Sequence, residues 1–446
     1  GIRDLVRSRG LGDVYKRQAW CTVMMVAVLA AGMLANSMTK EVSRDEHMYC
    51  TAGVLLARGH LIYRDFAYPA QLPYHPLLLS VLYETLGTQH YLLVGRLVSV
   101  FCDVAVIVLI LAIYRRVFGQ HWRAGQWLGV SASVLYAFNP VVTYAAGYAW
   151  NHDVVILCVV LSFWLFIRTG FRRMPRFWRL TSMGALLMAA SCMRATTALL
   201  VMLFLGTIVL LARGSLHNRI RTALPFILAS LLVASWPLWI FAQAPRAMWL
   251  DLVRIPALYA EWLRQIGGVY SKVLLTLDCL TRPGYLLLLA LTGYLAVILI
   301  RRRSSLSGIA RRNLLMASAV TALLGLIAFL PPTMWPQYWA VPVPFLAIVC
   351  AYPLAVLRQA AEKPEGKRAF RIACWIAFVC ATGGVLTNPG FLTRVPAVLV
   401  PERWAPSELH RVAVDIAEKT KKPQRLATLG PLYALEGGCD IYRELA

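Results

Sequence analysis

Ten stretches of this chain are apolar over the full length needed to cross a lipid bilayer, and that leaves it few ways to fold. A hydrocarbon core of ~30 Å takes roughly 17–23 helical residues to span. Runs of that kind lie at 19–38, 92–113, 126–141, 153–168, 197–212, 222–242, 284–300, 313–331, 338–357 and 370–387. A shorter run at 180–193 makes an eleventh. Lipid offers backbone amides no hydrogen-bond partner, so a run that satisfies its own backbone must be helical. The expected fold is therefore an all-α polytopic membrane protein with about 11 transmembrane helices. The composition agrees: 59% of the 446 residues are hydrophobic and only 15% charged, against roughly 25% charged in soluble domains.

A formal net charge of +24 would suit a nucleic-acid partner if the basic residues formed one patch, but they do not. Arg115, Arg116 and Arg123, then Arg168, Arg172, Arg173, Arg176 and Arg179, then Arg213, Arg219 and Arg221, then Arg301 to Arg303 with Arg311 and Arg312, then Arg358, Lys363, Lys367, Arg368 and Arg371 fill every second connection. Basic loops mark the cytoplasmic side. The other connections, 39–91, 142–152, 243–283, 332–337 and the tail after 388, then face outward, with Asp45, Glu46, Asp65, Glu84, Asp251, Glu261 and Asp278. The alternation holds only if 180–193 also crosses, so that short run is kept. No nucleic-acid partner is expected.

The ten cysteines form no CxxC pair and lie mostly inside apolar runs, as small core residues do. The first span has no separable signal peptide and reads as an uncleaved anchor. Residues 1–18 resemble a translated adaptor tail, so the transmembrane domain is counted from 19 to 387. Beyond it, residues 388–446 read as an outer segment. Ser407 to Lys422 has the spacing of an amphipathic helix, with Leu409, Val412 and Ile416 on one face; strand-like Gln424 to Leu429 and a Gly430-Pro431 turn follow. This is the expected start of a small, truncated α/β unit.

The first outer loop carries the most detail. It opens Asp45-Glu46-His-Met-Tyr49, continues Ala57-Arg-Gly59-His-Leu-Ile-Tyr63-Arg64-Asp65-Phe66, then Tyr68-Pro69 and Pro73-Tyr-His-Pro76, and closes on Leu86-Gly87 ahead of Arg96. Further along stand Asn139-Pro140 with Asp153, Cys192-Met-Arg194-Ala-Thr, Gln337-Tyr-Trp-Ala-Val-Pro342-Val-Pro344 and Gly430-Pro-Leu-Tyr-Ala-Leu-Glu436-Gly-Gly. Taken together, over residues 19–446, this pattern resembles the GT-C membrane glycosyltransferases, the group of the protein O-mannosyltransferases and the aminoarabinose transferase of lipid A, and especially their broad bacterial branch. Three prolines between Tyr68 and Pro76 predict a fixed loop there rather than regular helix.

The resemblance implies transfer of a sugar from a polyprenyl-phosphate donor to a lipid, glycan or protein acceptor on the outer, periplasmic face of the inner membrane. A hydroxyl attacking an anomeric carbon needs a carboxylate to take its proton, a contribution of roughly 10²–10⁴ in rate, and Asp45 is the first choice. The leaving phosphate is already a stable anion, so cationic side chains or a metal suffice to stabilise it. Arg194 and Arg96 are the residues to hold that phosphate. Glu46 and Asp153 would bind sugar or acceptor hydroxyls, or a divalent cation. His75 stands where relatives often carry polar site residues, and Gln337 and Tyr338 begin a helix near the lipid carrier. Each residue also has a plainer role open to it: an acid at a helix start caps free amides, Arg194 can snorkel to the interface, and Tyr338 fits an aromatic belt. The lysine or glutamate that some relatives place before the Pro-rich helix is replaced here by Tyr74-His75. Nothing resembles the large outer domain of protein mannosyltransferases, which favours a lipid or glycan acceptor over a protein. A flippase or transporter of lipid-linked sugars is the main rival, although the halves show no repeat and the acids cluster in a loop rather than at span centres. A non-catalytic scaffold of envelope synthesis fits the composition equally.

Overall fold

Every apolar run is mainly helical in the computed structural model, which describes residues 2–169, 177–267, 271–301, 306–421 and 424–443. Arg172, Arg173, Arg176, Arg302, Arg303 and Lys422 lie outside the described residues. So do the side chains of the expected adaptor tail, whose backbone continues the first helix from Ile2.

Helices α1 (Ile2–Met38), α2 (Arg44–Ala57), α3 (Tyr74–Leu86), α4 (Tyr91–Phe118), α5 (Trp122–Ala137), α6 (Pro140–Ala145), α7 (His152–Arg168), α8 (Phe177–Ser191), α9 (Ala198–Leu211) and α10 (Leu216–Gln243) make the first half. The second half has α11 (Pro245–Trp249), α12 (Ile255–Gln265), α13 (Lys272–Thr281), α14 (Pro283–Arg301), α15 (Gly308–Phe329), α16 (Val343–Val349), α17 (Ala351–Ala360), α18 (Pro364–Thr387), α19 (Gly390–Thr393), α20 (Ala405–Lys419) and α21 (Pro431–Leu435). Among the described residues, seven helical stretches are long and apolar enough to cross a membrane, and one of them, Tyr91–Ala137, contains both α4 and α5. The shorter α7 and α8 and the stretch Ala195–Leu211 occupy the remaining expected runs.

The long helices pack into one apolar core through residues such as Ile110, Tyr136, Phe163, Leu288 and Phe345. Their outward faces stay apolar, with Leu231, Leu232, Phe378 and Leu386 exposed, as a lipid-facing surface requires. Close approach is bought by small residues: a Cβ at Gly184 of α8 would collide with the backbone of Phe226 in α10.

A second core sits at one end of the bundle, built from Tyr49, Ile62, Tyr68, Leu79, Trp150, Met248, Leu409 and Leu432. Here the connections expected to share one side meet. Asp251 accepts from the Tyr68 amide at 2.7 Å and gives its carbonyl to the Ala70 amide at 2.9 Å. Asn151 donates to Gln71 at 2.9 Å, and Arg394 donates to Asn36 at 2.6 Å. The Pro-rich stretch differs from expectation, because regular helix begins at Tyr74 with Pro76 in the first turn of α3. A first-turn amide has no intrahelical partner, so proline costs nothing there. The C-terminal segment is α20 and α21 joined by two short parallel strands, β1 (Arg425–Leu426) and β2 (Asp440–Ile441), with Arg425 opposite Asp440. This is shorter in strand and in helix than the expected ranges.

Candidate active site at the loop end

Ser43 starts α2 with a reciprocal cap: its hydroxyl accepts from the Asp45 amide and Glu46 Oε2 accepts from the Ser43 amide at 2.9 Å. Successive helical residues point about 100° apart, so the acidic pair divides. Glu46 turns inward and is fully buried, while Asp45 stays exposed at the mouth.

The inward carboxylate meets Arg96 of α4. Arg96 Nε donates to Glu46 Oε1 at 2.8 Å and Nη2 to Oε2 at 2.9 Å, and both side chains have 0% exposure. Arg96 also donates to the carbonyls of Ser37, Lys40 and Glu41 at 2.7, 2.9 and 3.1 Å, and Glu46 accepts from the Ala149 amide at 2.9 Å. These contacts correct the expectation that Arg96 holds a lipid phosphate and that Glu46 meets substrate. Both are saturated inside the protein and fix where α1, α2, α4 and the 139–151 connection meet.

Asp153 is likewise buried, at the start of α7, and accepts from the Gly147 amide at 3.0 Å. Lys40 lies alongside, donating to the carbonyls of Tyr144 and Ala146 at 2.9 and 2.6 Å. Burial is the main force that lowers Lys40 to about 7, with Asp153 opposing it. The contact between Asp153 and the Gly147 amide ties the start of α7 to the second loop. Glu46 is occupied by Arg96 and backbone amides, and among the described residues the one triad of ligating side chains lies elsewhere.

Asp45 has different company. Its charge reaches Tyr49, Tyr68, Tyr144 and Tyr338. The protein crowded around it raises its carboxyl above the usual carboxylate range through desolvation, while Arg44 pulls it down. Tyr338 comes from a 3₁₀ turn, Pro336–Ala340, and carries the Arg194 guanidinium over its ring at 4.1 Å. Arg194 follows the end of α8 in extended backbone, with φ −144°. The same Arg194 acts on Tyr49, so Asp45 and Arg194 bracket two shared tyrosines.

Around them lie buried polar atoms without a hydrogen-bond partner among the described residues: Arg194 Nη1, Gln337 Oε1, Tyr68 Oη and both ring nitrogens of His75 and of His152. His75 packs edge-on to Tyr49 at 5.0 Å and His152 stacks on Tyr338 at 5.9 Å. Burial drives His75 down to about 3, so its ring is neutral. Most buried polar groups are satisfied, and water or a polar ligand at this place would satisfy these. Asp45, Arg194, His75, Gln337 and Tyr338 are brought together; Glu46, Arg96 and Asp153 form the frame beneath. Sequence reasoning missed Tyr49, Tyr68 and His152. The signal for Tyr49 was present, since it stands four residues after Asp45 on one helix face.

No protein-family model and no curated protein sequence matches the chain. Solved structures do. ArnT from Cupriavidus metallidurans bound to undecaprenyl phosphate is similar at 14% identity and a TM-score of 0.63, covering 95% of this chain and 86% of that one. ArnT in the apo state gives 14% and 0.59, with 96% and 86% covered. The oligosaccharyltransferase of Archaeoglobus fulgidus in complex with Zn and sulfate gives 15% and 0.51, with 90% of this chain and 55% of that one. The chain has the GT-C fold. In this GT-C frame the expected resemblance in architecture holds over nearly the whole chain, while the identity is low enough that the likeness concerns the fold.

Proposed function

We propose that this GT-C chain is an integral membrane glycosyltransferase that moves a sugar from a polyprenyl-phosphate donor to an acceptor hydroxyl at the loop end, on the outer face. The observation that carries this reading is the pairing of a solvent-open carboxylate, Asp45, with a guanidinium whose Nη1 is unpartnered, Arg194, around Tyr49 and Tyr338. Asp45 takes the proton from the attacking hydroxyl as the new C–O bond forms at the anomeric carbon. The bond from that carbon to the phosphate oxygen breaks, and its electron pair leaves with the lipid phosphate. Arg194 faces the departing anion with a donor already aimed and desolvated. A raised Asp45 pKa makes it a better proton acceptor at neutral pH than an ordinary carboxylate. His75, His152, Gln337 and Tyr68 offer hydrogen bonds to sugar hydroxyls. Glu46, Arg96 and Asp153 position these groups. The similarity to a structure of ArnT bound to undecaprenyl phosphate supports a donor of this lipid class.

The test is sugar transfer by purified protein from a panel of polyprenyl-phosphate sugars to extracted envelope lipids. Asp45→Asn should lose 10²-fold or more in kcat, on the order expected for a general base, with donor binding retained. Equal turnover in variant and wild type would remove Asp45 from the chemistry. Movement of lipid-linked sugar across a bilayer without transfer would favour the flippase reading.

A further inference from the structure

At the loop end but outside that site, three side chains from three segments converge. His90 precedes α4, His410 lies on α20 and Glu436 follows α21. One ligand atom from each falls within 4.8 Å of the other two. His410 Nδ1 is 3.1 Å from Glu436 Oε2, and the His90 and His410 rings are 3.8 Å apart between centroids. We propose that His90, His410 and Glu436 bind a zinc-class divalent ion that clips the C-terminal segment onto the transmembrane domain.

The donor set suits it. Two imidazoles and a carboxylate are the ligands of borderline metals, and three protein ligands leave a fourth tetrahedral position for water. Ligand atoms around such an ion, at roughly 2.0–2.2 Å from it, stand about 3.3–3.5 Å apart. The His410 to Glu436 distance is already close to that, and only the exposed His90 ring has to close in. Glu436 is also oriented as a metal ligand needs: its second oxygen accepts from the Leu92 amide at 2.8 Å. Glu436 is 0% exposed, and its sole basic partner among the described ion pairs is His410. His90, on the open side, gives the ion an entry path. The clip matters to α2, because Tyr433 of α21 packs against His47 at 5.7 Å, two residues beyond Asp45.

Untagged full-length protein in detergent, stripped with chelator and desalted, should take up one Zn²⁺ per chain by elemental analysis and gain thermal stability with Zn²⁺ but not Mg²⁺. His90→Ala and His410→Gln should each weaken Zn²⁺ binding at least 10-fold by calorimetry. His90 is exposed, so its variant should keep the zinc-free melting temperature of wild type, and it decides the matter if His410→Gln is unstable. Zn²⁺ affinity equal in wild type and His90→Ala, or no saturable uptake by wild type, would overturn the site. Neither result depends on sugar transfer.

Discussion

Arg96→Met separates a phosphate-binding arginine from a framing one. The side chain donates five hydrogen bonds, two to Glu46 and three to the carbonyls of Ser37, Lys40 and Glu41, with no exposure. Methionine of similar length fills the space and removes every donor. Breaking one side of a buried pair typically costs about 3–5 kcal/mol, because the remaining charge is stranded. Glu46 retains only the Ser43 and Ala149 amides, and the freed carbonyls add to the loss, so the upper half of that range is expected. At roughly 2 °C per kcal/mol, the small end of the scale for chains of 150–250 residues, the thermal midpoint should fall by about 8–10 °C. Glu46→Gln keeps shape and some acceptors, so it should cost less. The double variant should cost less than the two singles together, with a coupling of about 1–3 kcal/mol. Scanning fluorimetry of all four proteins closes the cycle. An Arg96→Met protein that melts like wild type yet no longer binds polyprenyl phosphate would refute the framing role.

The pH profile tests Asp45 separately. Because the protein crowded around it raises its carboxyl by desolvation, kcat/KM should fall as pH drops through a value above the ordinary ~3.9, and Arg44→Ala, which removes the lowering charge, should move that limb further up. Arg194→Ala should weaken donor binding and turnover at least 10-fold, and Arg194→Lys should rescue little, since an ammonium lacks the planar fork that lies over Tyr338; full rescue by lysine would reduce Arg194 to a point charge. Gly184→Val should destabilise by about 1–3 kcal/mol through the clash with Phe226, seen as a lower midpoint; an unchanged midpoint would mean α8 and α10 are not packed this closely.

The helices were legible because lipid leaves a long apolar run one conformation, and the fold followed from the Asp45 loop taken with Asn139-Pro140 and the Gln337 segment. The roles of the charges were less legible. Arg96 and Arg194 look alike in sequence, each beside an apolar run. Arg96 projects into a capped acid, whereas Arg194 projects over a tyrosine, and only three-dimensional packing separates them. Asp153 reads in sequence as ligand or brace alike, and its bond to the Gly147 amide belongs to the packing of a loop six residues away. The His90, His410 and Glu436 group was invisible because its members lie far apart in the chain and belong to different elements.

The acidic pair itself shows how adjacency in sequence can mislead. Two neighbouring acids suggest two acids in one site, yet the same capping box that starts α2 forces them apart. Glu46 must be the third residue after the cap to accept the Ser43 amide, and from that position its side chain meets Arg96 in the interior. Asp45, one residue earlier, then faces outward, and among the described residues no hydrogen bond consumes its lone pairs. The buried pair holds α2 by its first turn, and the C-terminal segment presses on the next residue, His47, through Tyr433. Asp45, the proposed base, sits on a helix start pinned from both sides and so loses little entropy on meeting substrate, which is the condition for positioning to assist catalysis. Shifting Ser43 to alanine should therefore harm turnover more than stability: about 1 kcal/mol of cap is lost, while the Asp45 carboxyl loses its fixed direction. Equal, small effects on both would mean that the Arg96 pair alone sets the helix.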